Sequence, residues 1–521
     1  MTENRFNLLT ERLIGATAGG GVLERLTLPE VLATLARGEP REFAALQPYQ
    51  SHAWHAFMVQ LGAIAAHHAD LSEVSEMDNA DTWAEALRAL TDGRDEPWCL
   101  IVPDLKAPAF MQPPVPEGSL AAWKDDNATA TPDAIDLLAT AKNHDVKMER
   151  IAAPTPEHWV YALVTLQTMQ GFSGRDTYGI ARMNGGVSNR PAFALAHDLA
   201  WPTRFVRDVK LLLAARGEIA ANHSFDSESG RALLWMEPWD GVEQLATDGL
   251  NPFFIEICRR IRLIDDRGQI VARWTTTKAT RIAAKEQKGN LGDPWVPVKV
   301  EDGAALTARS LNYELIQRVL FTGDFRRSRA SAPLPADGDE PVLACQVFAR
   351  DQGKTDGYHE RYIPVPPQAR KRLATEDGRQ QLGELSKKRV EEVKNVASKA
   401  LRPALAALIQ GGPEKLNFRD PRVDPFAAPF DREVDRVFFA ELFADVDLSF
   451  EAARLKWLKQ LLEFAGQTLK QAKQSAPIPA ARVFRARAAA DRVFNGAAYR
   501  MRAAAGEAIE NQGGTDEPKS D

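Results

Sequence analysis

The sequence changes character at the proline-rich segment PVPP, residues 364–367. Before it, runs with alternating apolar residues, such as Asn251 to Leu263 and Gln269 to Thr277, predict half-buried β-strands. After it, β-branched runs nearly vanish and Ala, Leu, Lys, Arg, Glu and Gln dominate, as they do in helices. The two textures predict an α+β protein, with a large mixed N-terminal domain followed by a C-terminal four-helix bundle.

The predicted domain boundaries follow from this change. We expect the mixed domain to span 1–364 and the bundle to span 365–508. We expect 509–521 to be a disordered tail, because 511–521 lack apolar side chains. Short connections such as GGP at 411–413 favour antiparallel helices. The four helices are predicted at Ala369 to Leu382 (or onward as one helix to Leu408), Asp431 to Leu442, Phe450 to Gln474 and Pro479 to Ala505.

Composition places the chain among ordinary soluble proteins. Its 521 residues are too many for one core, and 44% apolar with 26% charged residues is typical of globular domains. No run reaches the roughly 18 apolar residues that a membrane helix needs, and the N-terminal residues do not open a signal peptide. We therefore expect a cytoplasmic protein with no membrane partner.

Charge and cysteine content exclude two further classes. The widely spaced Cys99, Cys258 and Cys345 argue against a disulfide framework and a zinc site, so we expect no metal and no cofactor. A net charge of -6 counts against a stand-alone nucleic-acid-binding protein. A subunit that touches nucleic acid at a few points, and docks on more basic neighbours, would tolerate that balance.

The segment most suggestive of function runs from Trp159 to Arg190. It begins as a helix, because apolar residues from Trp159 to Met169 are spaced by four, three and three positions. Glycine lets backbone approach a bulky ligand, and glycines mixed with cationic, aromatic and amide side chains suit a polyanion. A structural turn between two elements is the alternative. The glycines and the residues between them are Gly171, Gly174, Gly179, Gly185, Gly186, Arg175, Tyr178, Arg182, Asn184, Asn189 and Arg190.

A second segment, 278–297, combines lysines with glycines. Its basic residues recur at helical intervals and are followed by Gly289 and Gly292, which break the chain in a tight loop. A lysine at a helix end beside glycines can reach into a groove that bulkier backbone could not enter. The plain alternative is a solvated basic face. The basic residues are Lys278, Arg281, Lys285 and Lys288.

A third segment, 342–361, predicts a β-hairpin. A strand from Val342 to Phe348 leads into a polar loop bounded by Gly353 and Gly357, as in a hairpin whose tip carries long side chains outward. Such a tip can wedge between base pairs, since unstacking one step costs only a few kcal/mol. An ordinary hairpin turn is the alternative.

Three other polar or basic features could meet phosphates or bases. The loop KNHDVK at 142–147 could grip single-stranded RNA, but from these residues alone a solvated loop is the simpler interpretation. A helix at Asp198 to Leu213 places Arg204, Arg207 and Lys210 along one side and would extend a positive surface. The last helix carries an arginine cluster with only Asp491 opposing it, so it favours phosphates over a merely solvated face.

Four histidines and one aspartate give an enzymatic alternative. His52, His55, His67, His68 and Asp70 lie on or near one helix and invite comparison with metal-dependent phosphohydrolases and nucleases. The two pairs are three turns apart, roughly 18 Å along a helix, and no carboxylate recurs at ligand spacing. Capping and surface histidines are the simpler interpretation.

The chain resembles the large subunit, of the CasA type, of the type I-E CRISPR Cascade complex. The resemblance is carried by LQTMQGFSGR at 166–175, YGIARMNGG at 178–186 and a proline-framed Phe-Met-Gln element at 108–114. It extends from about residue 7 to about residue 500 and is dense from 143 to 361. It implies a non-catalytic subunit, not an enzyme, whose partners are guide RNA, the other Cascade subunits, double-stranded target DNA and a helicase-nuclease.

The resemblance also implies roles for individual residues. The protospacer-adjacent motif would be contacted by Gly171, Ser173, Gly174 and Arg175, and from the minor groove by a lysine finger, Lys288 first and Lys285 second. The wedge that parts the duplex would contain Gln352, Gly353, Lys354 and Thr355. The guide RNA would meet Asn143, His144 and Lys147. In the bundle, a DNA strand would lie against Arg482, Arg485, Arg487 and Arg492.

These roles describe recognition without covalent chemistry. Base pairing with the guide supplies sequence specificity, while the protein recognises a short duplex motif and helps open the first base pairs. Because minor-groove edges distinguish A·T from G·C but little else, we expect several motif sequences to be tolerated. The alternatives are the histidine-based enzyme and a scaffolding subunit that does not distinguish motif-bearing DNA from other DNA.

Overall fold

A computed structural model describes residues 3–18, 21–39, 41–135, 151–172, 174–184, 190–334, 337–338, 340–351, 354–413 and 416–506, with backbone alone at 350–351 and 354–356. The chain forms two compact units. The first contains Met1–Leu311 and Asp324–Pro364, and the second contains Asn312–Gly323 and Val365–Asp521. The sequence assigned all of 1–364 to one domain, whereas 312–323 belongs with the C-terminal helices.

The first unit mixes helices with short antiparallel sheets. Its helices are α1 (Leu28–Ala36), α2 (Ser51–His68), α3 (Ala80–Ala89), α4 (Pro156–Met169) and α5 (Trp201–His223). Its strands are β1 (Arg5–Asn7), β2 (Ile14–Thr17), β3 (Leu23–Leu26), β4 (Glu42–Phe43), β5 (Cys99–Ile101), β6 (Ala128–Thr129), β7 (Ala192–Ala196), β8 (Arg231–Leu233), β9 (Leu250–Ile255), β10 (Arg260–Asp266), β11 (Gln269–Thr275), β12 (Val298–Lys299), β13 (Phe325–Arg326), β14 (Val342–Asp351) and β15 (Lys354–Pro364).

Helix α2 is the centre of the first core. Every residue from His52 to Ala66 is buried, and the helix packs against α4, α5 and β9. Small residues permit this close packing: an atom at the Cβ position of Gly62 would lie 3.0 Å from the Phe205 ring. A helix enclosed on all sides has no solvent face. The expectation of surface histidines is therefore wrong for His52 and His55.

The strand predictions are confirmed where the sequence alternates. Strands β10 and β11 form a hairpin in which Arg260 pairs with Thr275 and Asp266 with Gln269, and β6 adds to its edge. Strands β14 and β15 form the second hairpin, with β7 paired to the other side of β14. In the proline-framed turn at 108–114, Phe110 and Met111 are fully buried, so this turn inserts into the first core.

The second unit contains three of the four long helices that the sequence predicts, and its described residues add a short helix, α6. The remaining predicted helix, from Ala369, is interrupted, because α7 ends at Leu373 and α8 begins at Glu376 after the N-cap Thr375. The segment α8 continues through a π-helical turn, Ala397–Leu401, into α9. Helix α10 begins seven residues before the predicted Asp431 because it accommodates Pro429 in its interior. The helices are α6 (Tyr313–Phe321), α7 (Pro367–Leu373), α8 (Glu376–Val396), α9 (Arg402–Ile409), α10 (Asp424–Ala444), α11 (Phe450–Ser475) and α12 (Val483–Ala504).

Aromatic packing explains why 312–323 joins the helical unit. Helix α6 buries Tyr313, whose ring lies 4.8 Å from the ring of Phe438 on α10. Phe438 in turn meets Trp457 of α11 edge-on at 5.9 Å. An aromatic ring buries a large apolar area. The packing of Tyr313 on Phe438 therefore places α6 in the second unit.

Candidate nucleic-acid interface

The glycine-rich stretch, residues 171–190, contains a closed loop from Gly171 to Gly179, called here the glycine loop. Helix α4 ends at Met169, and the chain returns where the Ile180 N–H donates to the carbonyl of Gln170 at 2.9 Å. Its two ends touch so closely that an atom at the Cβ position of Gly179 would lie 2.4 Å from the carbonyl carbon of Gly171. Only glycine fits this neck.

The far end of the glycine loop faces solvent. Gly174 has a φ of 141° and accepts a hydrogen bond from the Thr177 N–H at 3.1 Å, and apart from its chain neighbours no described residue lies within 4 Å of its Cβ position. Arg175 beside it is exposed. Ser173, also assigned to motif contact, lies outside the described residues. The loop thus presents bare backbone next to a guanidinium.

Buried Arg259 holds the neck of the glycine loop. Its guanidinium donates to the carbonyl of Tyr178 and, at 3.4 Å, to the carbonyl of Gly171. Arg259 follows Cys258 in the connection between β9 and β10 and is 7% exposed. One planar cation therefore satisfies a carbonyl on each side of the neck.

Glu256 supports the backbone that leaves the glycine loop. Its Oε1 accepts a hydrogen bond from the Ala181 N–H at 2.5 Å, while the next residue, Arg182, donates to the carbonyl of Phe254 and lies 3.8 Å from that ring. Burial raises the pKa of Glu256 to about 7, and the charge of Arg182 opposes this rise. The carboxyl group therefore titrates near neutral pH.

The segment 278–297, called here the lysine segment, lies against the glycine-rich stretch. Lys278 forms an ion pair with Asp176 of the glycine loop, Nζ to Oδ2 at 2.8 Å. Gly289, with a φ of 80°, packs so tightly that an atom at its Cβ position would lie 2.5 Å from the carbonyl carbon of Met183. These two contacts unite sequence segments about 100 residues apart in one surface.

The lysine segment is not helical, contrary to the pattern of its basic residues. Strand β11 ends at Thr275, and the Leu245 N–H then donates to the carbonyl of Arg281 in extended chain. A single 3-10 turn spans Lys285–Gln287. Arg281 is buried against the ring of Trp239 at 5.5 Å, so it is no part of a basic face.

Lys285 and Lys288 are the two exposed lysines at the tip of this turn. Lys288 adopts left-handed backbone with a φ of 49°, which is uncommon for a residue with a side chain. Its Nζ lies 3.7 Å from Asp302 Oδ2, and about half of the side chain is exposed. The strained backbone and the adjoining Gly289 fix the direction in which Lys288 leaves the surface.

The β14–β15 hairpin runs along the same region. The Phe193 N–H of β7 donates to the carbonyl of Trp295 at the end of the lysine segment, 2.9 Å away. Pairing of β14 with β7 ends at Gln346 opposite Ala192, so residues 347–351 extend beyond it on the side from which the glycine-rich stretch arrives. Gln352 and Gly353 at the tip, and the side chains of Lys354 and Thr355, lie outside the described residues.

Trp295 lies in the core where the lysine segment meets the end of the glycine-rich stretch. Its indole N–H donates to Asp208 Oδ2 at 3.0 Å, and its ring lies 5.9 Å from the guanidinium of Arg190 at the end of the glycine-rich stretch. Arg190 also pairs with Asp293, Nε to Oδ2 at 2.5 Å, with both groups buried. Arg190, Asp293 and Trp295 therefore form one buried cluster that links the lysine segment to the end of the glycine-rich stretch.

Comparison with solved structures gives the fold a name. CRISPR-associated protein Cse1 from Acidimicrobium ferrooxidans aligns with a TM-score of 0.64 at 14% identity, covering 97% of this chain and 99% of that chain. Cse1 from Thermobifida fusca gives the same values. The chain has the Cse1 fold. CasA (Cse1) from Thermus thermophilus aligns with a TM-score of 0.56 at 15% identity, covering 96% and 100%.

Sequence comparison adds nothing to the structural likeness. No protein-family model matches the chain, and no curated protein matches it significantly. At 14–15% identity, similarity to Cse1 extends to the fold alone. Within the described residues of this Cse1 fold, no helix is long and apolar enough to cross a membrane.

Asn143, His144 and Lys147, the residues assigned to guide RNA, lie outside the described residues. Of the residues that flank this loop in the sequence, Ile151 donates its N–H to Asp133 Oδ2 at 3.4 Å.

The bundle arginines cluster at the start of α12. Arg482, Arg485, Arg487 and Arg492 are all exposed. Arg482 packs its side chain on Gly411, and Arg487 donates to the carbonyl of Lys473 at 2.8 Å. By contrast, Arg204 and Arg207 on α5 are buried, and Arg207 pairs with Asp337 at 2.6 Å. The prediction that α5 extends a positive surface is wrong.

The histidine alternative finds no support in the structure. His55 is buried and its Nε2 lies 2.9 Å from Asp208 Oδ2, whereas His67, His68 and Asp70 are exposed at the other end of α2. Among the described residues, no group of three or more His, Cys, Asp or Glu side chains could hold a metal ion. Burial lowers the pKa of His55 to about 4, so its imidazole is neutral at pH 7.

Sequence reasoning missed the residues that support the interface from below. Glu256, Arg259 and Trp295 are buried side chains that position the glycine loop and the lysine segment. The run NPFFIEICRRIRL at 251–263 contains charged residues within an otherwise apolar strand pattern. A charge in such a run requires a buried partner, and this signal marks Glu256 and Arg259 as members of a network.

Proposed function

We propose that this chain is the large subunit of an RNA-guided DNA surveillance complex of the type I-E Cascade class, and that it recognises the protospacer-adjacent motif from the minor groove. One observation supports this proposal above others: within a Cse1 fold, the glycine loop and Lys288 belong to the same surface. They are joined through the ion pair of Lys278 with Asp176 and the packing of Gly289 on Met183.

The geometry of this surface suits a narrow groove. The minor groove is about 6 Å wide and offers mainly acceptor atoms at A·T pairs. Bare backbone at Gly174 can approach its rim closely, and Arg175 supplies a cation for the neighbouring phosphates. Lys288 provides a long donor whose starting direction is fixed by its left-handed backbone.

Duplex opening would follow recognition. The β14–β15 hairpin continues beyond β7 by five residues, roughly 17 Å at the usual rise of a strand. Its tip, with Gln352, Gly353, Lys354 and Thr355, would separate the first base pairs beside the motif. Base pairing with the guide then replaces the pairs that are lost, so the protein has to open only the first steps.

The remaining contacts complete the assignment. Asn143, His144 and Lys147 would bind guide RNA, and the exposed arginines of α12 would hold a separated DNA strand. Other Cascade subunits and a helicase-nuclease would dock on the same protein. None of these roles requires this chain to make or break a covalent bond.

A binding experiment tests the proposal. In a complex assembled with guide RNA and its other subunits, Lys288→Ala should weaken binding to motif-bearing duplex by roughly five- to hundredfold, the range for losing a specific groove contact. Lys210→Ala is the matched control, because Lys210 is also an exposed lysine paired with a carboxylate, that of Glu73, but lies on α5.

A second variant tests the hairpin separately. Gln352→Ala should leave motif binding nearly intact but slow opening of the adjacent base pairs, followed by permanganate reactivity of unpaired thymines. Unchanged affinity with Lys288→Ala, together with unchanged opening with Gln352→Ala, would overturn the proposed function.

A further inference from the structure

The outward face of α12 carries aromatic side chains that fold stability does not explain. Phe484 is 84% exposed and Tyr499 is 52% exposed. With Arg492 and Asn495 they follow one another at spacings of eight, three and four residues, which places all four on one stripe of the helix. The opposite stripe is buried and includes Ala490 and Phe494.

The charge of this face is mainly positive. Asp491, seven residues after Phe484 and four before Asn495, lies on the same stripe and is the one carboxylate between Val483 and Ala504, but its Oδ1 pairs with Lys473 at 2.7 Å. Arg492 is exposed and makes no ion pair with any described residue. A face that offers rings and a cation, with its one carboxylate already held by a lysine, is complementary to phosphates and bases.

We propose that this face of α12 binds single-stranded DNA, with bases stacked on Phe484 and Tyr499 and phosphates held by Arg492 between them. The two aromatic residues are fifteen positions apart, about 22 Å along the helix, which accommodates several nucleotides. The inference rests on the proposed function, in which duplex opening releases a DNA strand. It adds stacking to a contact otherwise assigned to arginines alone.

Stacking makes the prediction specific. Removing an aromatic side chain on which a base stacks weakens binding roughly five- to hundredfold. Binding would also be insensitive to base sequence, because every base has a stacking face. Loss of Arg492 would instead reduce the salt dependence, by a slope of about 0.7 for one phosphate of a single strand.

Fluorescence anisotropy with the purified full-length chain tests this inference. The probes are fluorescein-labelled (dT)20, (rU)20 and a 20-base-pair duplex. Phe484→Ala and Tyr499→Ala should each weaken (dT)20 binding by the stated factor, while Phe484→Tyr should retain it. Phe450→Ala on α11 is the matched control, because Phe450 is an aromatic residue at 43% exposure outside this stripe. Thermal unfolding of each variant verifies that the fold is intact.

Three results would overturn the inference. Absence of (dT)20 binding by the unmodified chain would remove the site. Weakening by Arg492→Ala but by neither aromatic variant would leave phosphate contact without stacking. Tighter binding of (rU)20 than of (dT)20 would assign the face to RNA. The proposed function fails on different results, namely unchanged affinity of the assembled complex with Lys288→Ala together with unchanged duplex opening with Gln352→Ala, so the two failures are distinguishable.

Discussion

Gly289 lies against the main chain of Met183 so closely that a Cβ atom would sit 2.5 Å from the Met183 carbonyl carbon. Real Cβ contacts are essentially never this short, so any side chain at 289 must push the two segments apart. Lys288 is the preceding residue, and its backbone is already left-handed. The position of Lys288 relative to the glycine-rich stretch therefore depends on Gly289. Because glycine has no side chain, a list of side-chain contacts does not show this role.

Gly289→Ala should reduce both stability and recognition. Left-handed backbone costs an alanine about 1–2 kcal/mol, and overlap with Met183 adds to this penalty. Gly303→Ala is the matched control, because Gly303 has a φ of 70° with no atom within 4 Å of its Cβ position. Urea unfolding should show a larger loss for Gly289→Ala, and only that variant should weaken motif-bearing duplex. Equal losses for both variants would contradict the packing argument.

Gly179→Ala should open the neck of the glycine loop. Its Cβ would lie 2.4 Å from the Gly171 carbonyl carbon, so the loop must separate from the end of α4. We expect destabilisation of about 1–3 kcal/mol or more, in the range of overpacked cores, and loss of motif discrimination by the assembled complex. Gly217→Ala within α5, where the Cβ position is open, should instead stabilise by about 0.5–1 kcal/mol.

The sequence predicted the elements whose patterns are local. The apolar spacing from Trp159 to Met169 identified α4, and alternation identified β10 and β11, because both patterns arise within a few residues. The last two long helices, α11 and α12, were equally readable. The interior Pro429 hid the start of α10, since a proline normally ends a helix.

Long-range burial could not be read in the same way. Arg207 reads as a basic side chain on a helix surface, yet it pairs with Asp337, 130 residues away, inside the first core. Likewise, Arg281 fits a helical repeat of cations but packs on Trp239. Whether a basic side chain is exposed to solvent depends on partners that are distant in the sequence, and a local repeat of residues carries no information about them. The exposed and buried basic residues of the interface could therefore be distinguished only once the three-dimensional structure was known.

Glu256 should make stability depend on pH in a defined window. Its pKa rises from 4.5 to about 7 on folding because burial disfavours the charged carboxylate. The folded chain therefore holds this proton between about pH 4.5 and 7 where the unfolded chain loses it, so the contribution to stability falls as pH rises through that window. At about 1.4 kcal/mol per pKa unit, the full effect is roughly 3 kcal/mol.

Glu256→Gln isolates this effect, because the amide oxygen can still accept from the Ala181 N–H. Other groups titrate in the same range: His55 has a pKa lowered to about 4 by burial, which destabilises the fold as pH falls below 6.5. Their contribution cancels in the difference between the two proteins. Denaturant unfolding at pH 5, 6 and 7 should show the variant gaining stability relative to the original chain as pH rises, and a constant difference would refute the assignment.

Recognition from the minor groove predicts which changes to the DNA motif are tolerated. A·T and T·A pairs present the same acceptors there, whereas a G·C pair adds the guanine amino group, which obstructs an approaching lysine. Exchanging A·T for T·A within the motif should therefore change the affinity of the assembled complex by less than a few-fold, and exchanging it for G·C should reduce affinity more. Lys288→Ala should lessen this preference, because Lys288 is the donor that enters the groove. A complex that separates A·T from T·A as strongly as from G·C would be reading the major groove, and the glycine loop and Lys288 would then have a different role.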